Sequence, residues 1–118
     1  MTKPLNELSH EEREARLLST AGFAARAGRI VFGTEMICDN LRRGEILLVL
    51  EASDTSENTH KRLSDKTAFY AVRHVRLVAA GDRLATAFGK RGGKIAAVGI
   101  TDSGIIRAIE KYLPSSAE

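Results

Sequence analysis

The sequence holds a single cysteine, Cys38. That excludes an internal disulfide and any zinc site built from several thiolates, so no oxidising compartment is implied. Tryptophan is absent, and two tyrosines and four phenylalanines are too few for the aromatic platform on which single-stranded nucleic-acid binders stack bases. A nucleic-acid partner would therefore be read by shape and backbone. No stretch approaches the ~20 apolar residues that span a bilayer, and the opening MTKPLNELSHEERE has no apolar run of the kind a secretory signal carries. The chain is expected in the cytoplasm, away from membranes.

Catalytic and metal signatures are also missing. Ser19, Ser53 and Ser103 sit in no G-x-S-x-G context, the strained turn a nucleophilic serine needs. Cys38 falls on the apolar stripe of a helix, where a small buried hydrophobe is expected rather than a thiolate. His10, His60 and His74 lie far apart, and none has a cysteine or carboxylate at metal-ligand spacing. They read as surface histidines, with no metal, and an enzyme is disfavoured.

What is present is an ordinary globular composition, with 43% apolar and 28% charged residues in 118, sized for one domain with a real core. The ends, 1–9 and 114–118, read as loose. Net charge is only +3, but from Lys61 to Arg76 five bases face one acid, and from Arg83 to Lys94 four face none. Such a basic half suits a polyanion through phosphate neutralisation; a solvated face is the alternative. The loop GKRGGK (Gly89–Lys94) resembles a phosphate loop, but Phe88 and Ile95 stand where that motif needs Gly and Ser or Thr, and the loop precedes a strand rather than a helix. A basic loop on a nucleic-acid backbone and a solvated turn remain the two readings.

Helical periods and strand runs alternate along the chain. Ser9 and Glu12 form a capping box for a helix to about Ala27, Ile30 to Phe32 is a short strand, and Thr34 caps a helix to Arg43 stopped by Gly44. ILLVL (Ile46–Leu50) is apolar on both faces, as a strand covered on each side must be. Asp54 with Glu57 opens a helix to about Lys66, a β-rich run follows from Ala68 to Val78, and a helix lies around Leu84 and Phe88. The strand IAAVGI and a helix carrying Ile105, Ile109 and Leu113 close the chain. This alternation predicts a three-layer α/β/α sandwich around a mixed, roughly four-stranded sheet.

G-R-I-x-x-G-T from Gly28 to Thr34, LRRG at Leu41 to Gly44, LLVLEASD, SENTHKRL, LATAFGK and IAAVGI together resemble the kink-turn RNA-binding ribosomal-protein superfamily of the L-seven-Ae and L-thirty-e type, above all its small bacterial members. The resemblance covers roughly Leu17 to Leu113. It implies a sandwich that clamps a sharply bent RNA loop, with no catalysis and no cofactor. On the family's contact motif, G-x-N-E-x-x-K, Gly33 and Thr34 match the opening, while Glu35 stands at the Asn, Met36 at the Glu and Asp39 at the Lys. Arg29 stands where the family has a basic residue, and Gly89 to Lys94 corresponds to the loop that packs on extruded bases.

The site so implied comprises Arg29, Gly33, Thr34, Glu35, Arg42, Arg43, Lys90, Arg91 and Lys94. The expected role is a non-catalytic binder of structured, kink-turn-like RNA associated with the ribosome or translation. Ribosomal RNA, and with it ribosomal proteins, are the partners implied, and a monomer is the default. The rival reading is a protein-interaction module on the same scaffold, in which Glu35 and Asp39, four residues apart on one helix face, meet a basic partner.

Overall fold

Ser9 accepts the Glu12 backbone N–H while the Glu12 carboxylate accepts that of Ser9, both at 3.2 Å, so the capping box opens the first helix as expected. The computed structural model describes residues 4, 7–90 and 92–114. In chain order the elements are α1 (His10–Arg26), β1 (Ile30–Phe32), α2 (Thr34–Arg42), β2 (Leu48–Glu51), α3 (Glu57–Phe69), β3 (Arg73–Arg76), α4 (Gly81–Ala87), β4 (Ala97–Ile100) and α5 (Ser103–Ile109), which tightens into a 3-10 turn, Glu110–Tyr112. Of the two ends read as loose, Leu8 is buried and Ser9 caps α1, while residues 1–3, 5–6 and 115–118 lie outside the described part.

The four strands form one sheet in the order β1-β4-β2-β3. β2 is parallel to β3, and β4 runs antiparallel to both β1 and β2. Alternation along the two central strands divides the core. Leu48, Leu50, Val98 and Ile100 face Leu17, Leu18 and Ala21 of α1, Leu84 of α4 and Ile109 of α5. Val49 and Ala97 face Ile37 and Leu41 of α2 and Leu63 of α3. Each fully buried leucine or isoleucine contributes about 1.5–3 kcal/mol, so neither helical layer is dispensable. The result is the expected α/β/α sandwich with a mixed sheet.

Several boundaries differ from the sequence reading, each for a local reason. Gly33 rather than Thr34 is the N-cap of α2. Ser56, not Asp54, caps α3 by accepting from Thr59 N, because the Asp54 carboxylate is occupied by the backbone N–H of Gly81 at 2.8 Å. α3 continues through Phe69, with the Thr67 hydroxyl donating back to Leu63 O at 2.7 Å, which leaves β3 only four residues. β2 begins at Leu48 and includes Glu51, and β4 begins at Ala97.

Helix endings repeat one device. α1, α2 and α4 each stop at a glycine with positive φ, Gly28, Gly44 and Gly89, bonded back in the 6→1 and 5→2 pattern that satisfies the last carbonyls. α3 ends the same way on Ala71, at φ 56°.

The histidines require a correction. Far apart in sequence, His60 on α3 and His74 on β3 converge in space, with ring centroids 5.9 Å apart. Glu51 lies between them at the end of β2, fully buried. Sequence spacing misses this because the three residues come from three elements.

Candidate nucleic-acid interface

Strand register decides which loops share an end of the sheet. Phe32 pairs with Val98, Glu51 with Ala97, and Glu51 with Arg76. The C-terminal ends of β1, β2 and β3 therefore lie beside the N-terminal end of β4. The turn at Gly33, the turn from β2 into α3, the link into α4 and the basic loop Gly89–Lys94 all emerge there.

Gly33 adopts φ 89° and ψ 139° and caps α2 without a side-chain hydrogen bond. A residue with a Cβ is strained in that conformation. The first backbone N–H groups of a helix have no intrahelical partner and carry partial positive charge, so the start of α2 presents donors suited to an oxygen anion. Thr34 is the first helical residue and is partly exposed.

The basic loop is delivered to this turn from across the sequence. The Gly89 reversal, with Lys90 N bonded to Ala85 O at 2.7 Å, sends Lys90 over the Phe32 ring, 4.8 Å from Nζ to the centroid. Phe32 in turn meets Phe88 edge to face at 6.0 Å. Lys90 thus sits beside the residue preceding Gly33. Lys94 is exposed and lies next to Gly81 at the start of α4. Arg91 lies outside the described residues.

The acids of α2 find cationic partners on the protein itself. Glu35 accepts a hydrogen bond from Arg62 of α3, and that bond, together with the guanidinium charge, holds its carboxyl below the usual range. Asp39 lies 3.7 Å from Arg42, one turn along. Both pairs are solvent-exposed and therefore weak, but they offset the negative charge on the face. Met36, more than half exposed, fills the position between them. No local signal in the sequence marks Arg62, because its partner belongs to a different helix.

Arg29, Arg42 and Arg43 lie apart from this turn. Arg29 precedes β1, four residues or roughly 13 Å of extended chain before Gly33, and its carbonyl accepts from Thr101 at the opposite end of the sheet. Arg42 and Arg43 end α2, whose nine residues extend roughly 13 Å away from Gly33. The structure brings together Gly33, Thr34, Glu35 and Lys90, with Lys94 along the same end, and sets the three arginines beyond them.

With four loops gathered at one end of an α/β/α sandwich, the chain belongs to the ribosomal protein L7Ae/L30e/S12e/Gadd45 family, whose pattern matches residues 15–109. The RNA-binding protein YlxQ of Bacillus subtilis (strain 168) is 34% identical over 92 residues, 78% of this chain and 89% of that protein. YlxQ of Enterococcus faecium is 33% identical over 63 residues, 53% of this chain and 61% of that protein's length. Among solved structures, a protein with unknown function from Bacillus halodurans C superposes with a TM-score of 0.76 at 30% identity, covering 83% of this chain and 96% of that one. The Giardia lamblia 15.5kD RNA binding protein gives 0.70 at 18% identity over 95% of this chain and 100% of that one, a likeness of fold. Among the described residues, no helix is long and apolar enough to cross a membrane.

Proposed function

We propose that this chain is a non-catalytic, cytoplasmic binder of structured RNA associated with translation, and that it grips a sharply bent, kink-turn-like segment of ribosomal RNA at the Gly33 end of the sheet. The observation that carries this reading is the side-chain-free start of α2 beside Lys90, where Phe32 and Gly33 leave the backbone open to a phosphate. Membership of the family and two relatives named as RNA-binding proteins support it. The intramolecular pairing of Glu35 with Arg62 and of Asp39 with Arg42 weakens the alternative of a basic protein docking on those acids. It also reduces the electrostatic repulsion that RNA would meet on that face.

Salt tests the reading. Affinity for a kink-turn RNA should fall linearly on a double-logarithmic plot against salt, with a slope of roughly 0.7–0.9 per neutralised phosphate, and should exceed that for a regular duplex of equal length. A flat response, or equal affinity for both RNAs, contradicts it.

A further inference from the structure

We propose that Glu51, His60 and His74 form a binding site for a divalent transition ion of borderline softness, with Zn2+ as the type. Three separate elements supply them: the end of β2, the first turns of α3, and β3. Because Val75 faces the opposite core, His74 and Arg76 share the α3 side of the sheet with Glu51. His60 Nδ1 lies 2.9 Å from Glu51 Oε1 and His74 Nε2 lies 2.7 Å from the same oxygen. All three ligand atoms fall within 4.8 Å of one another.

The carboxylate is divided between two tasks. Oε2 accepts from the Thr55 hydroxyl and faces Arg76 Nε at 3.6 Å, while Oε1 is turned toward both imidazoles. His60 Nδ1 also lies 2.9 Å from Oε2. Thr55 and Arg76 hold the carboxylate from the Oε2 side, as outer partners orient a metal-ligating carboxylate. Burial alone raises the carboxyl, and the bonds from Thr55, His60 and His74 outweigh it, keeping Glu51 below the ordinary range. A buried, ionised carboxylate is costly unless such partners surround it, and the sequence places it where an apolar strand residue would serve the core.

Two imidazoles and one carboxylate suit zinc-class ions, whereas magnesium and calcium prefer all-oxygen shells. Ligand distances of about 2.0–2.2 Å to zinc place tetrahedral ligand atoms roughly 3.3 Å apart, so the cluster must open by about half an ångström on loading. His60 can allow this, since its side chain is 38% exposed, and the same opening admits water as a fourth ligand. Coordination uses the lone pairs of His60 Nδ1 and His74 Nε2, so any proton on those two nitrogens is released to solvent on loading. Arg76 opposes the ion by charge. Its side chain is 43% exposed and also donates to Ser53 O at 3.2 Å, so it can stay outside the first coordination sphere. An ion here would pin α3 to the β2–β3 pair.

The test uses the full chain without a histidine tag, stripped by a chelator and titrated with Co2+ and then Zn2+. One Co2+ per chain should give the intense d–d absorption of a four-coordinate site, and Zn2+ should abolish it. Zn2+ at ~100 times its Kd should raise Tm by roughly 10 °C. His60→Gln and His74→Gln should each weaken Co2+ affinity at least tenfold, whereas His10→Gln, at the start of α1, should change nothing. Should His74→Gln fail to fold, the half-exposed His60→Gln decides alone. Absence of both Co2+ absorption and a Zn2+ shift in the parent would reduce the cluster to a hydrogen-bonded network, and binding unchanged in the folded His60 and His74 variants would place the ion elsewhere; either overturns the proposal.

Discussion

Replacing Lys90, Arg91 and Lys94 together by alanine is expected to lower affinity for kink-turn RNA about a hundredfold near 0.1 M salt. Charge-assisted contacts are worth about 1.5–3 kcal/mol when well formed; long cationic side chains lose rotamer freedom on binding and realise less, and about 1 kcal/mol from each of three gives that factor. The salt slope should fall by roughly 2–3, one unit for each lost phosphate contact. Folding should persist, because the loop's reversal rests on backbone bonds from Gly89 to Thr86 O and from Lys90 to Ala85 O, which alanine keeps. Lys90 loses its contact with the Phe32 ring, worth about 0.5–1 kcal/mol at an exposed site, so Tm should drop by a few degrees at most. Circular dichroism and a binding isotherm at several salt concentrations check both halves. Unchanged affinity and slope in a folded protein would take the loop out of the interface.

The opposite change is expected from α2. If α2 faces RNA as proposed, Asp39→Lys turns a carboxylate on that helix into an ammonium, and one added charge-assisted contact of about 1–1.5 kcal/mol tightens binding roughly fivefold to tenfold. Adding Glu35→Asn and Met36→Glu rebuilds the family's contact motif. Glu35→Asn has a second consequence, since Arg62 loses its partner and becomes available to phosphate. The triple variant should therefore bind more tightly than Asp39→Lys alone. Its stability cost is small: positions 35, 36 and 39 are exposed, off the buried stripe of Ile37, Cys38 and Leu41. The new lysine sits one turn from Arg42, a like-charge pair costing a few tenths of a kcal/mol. A folded triple variant that binds no better than the parent would show that RNA does not dock on this helix.

These expectations differ in how far the sequence alone supports them. The central strand was legible because ILLVL is apolar on both faces, a pattern that requires a helical layer on each side. Both layers are there. Helix caps were half legible: Asp54 and Ser56 are both competent N-caps, and only the tertiary bond from Gly81 N to Asp54 decides between them. The end of α3 was misjudged because Ala68 to Val78 is rich in residues that favour strands, whereas packing of Leu63 and Thr67 under the helix carries it on to Phe69. Proximity of Lys90 to Gly33 depends on β4 lying between β1 and β2, a sheet order that hydrophobic periodicity does not encode. Arg29, Arg42 and Arg43 stand near Gly33 in sequence, but an extended strand and a nine-residue helix carry them to the far ends of β1 and α2. Glu51 reads as an ordinary acid closing a strand. Its burial follows from His60, His74, Thr55 and Arg76, of which only Thr55 is near it in the chain.

Ultraviolet crosslinking of the chain to RNA in cells, followed by identification of the crosslinked peptides and of the RNA, tests the central claim most directly. Crosslinks are expected around Phe32–Glu35 and residues 89–94, on a ribosomal RNA segment with a sharp bend. Crosslinks confined to Arg29, Arg42 and Arg43 would contradict the placement, and recovery of no RNA would contradict the function.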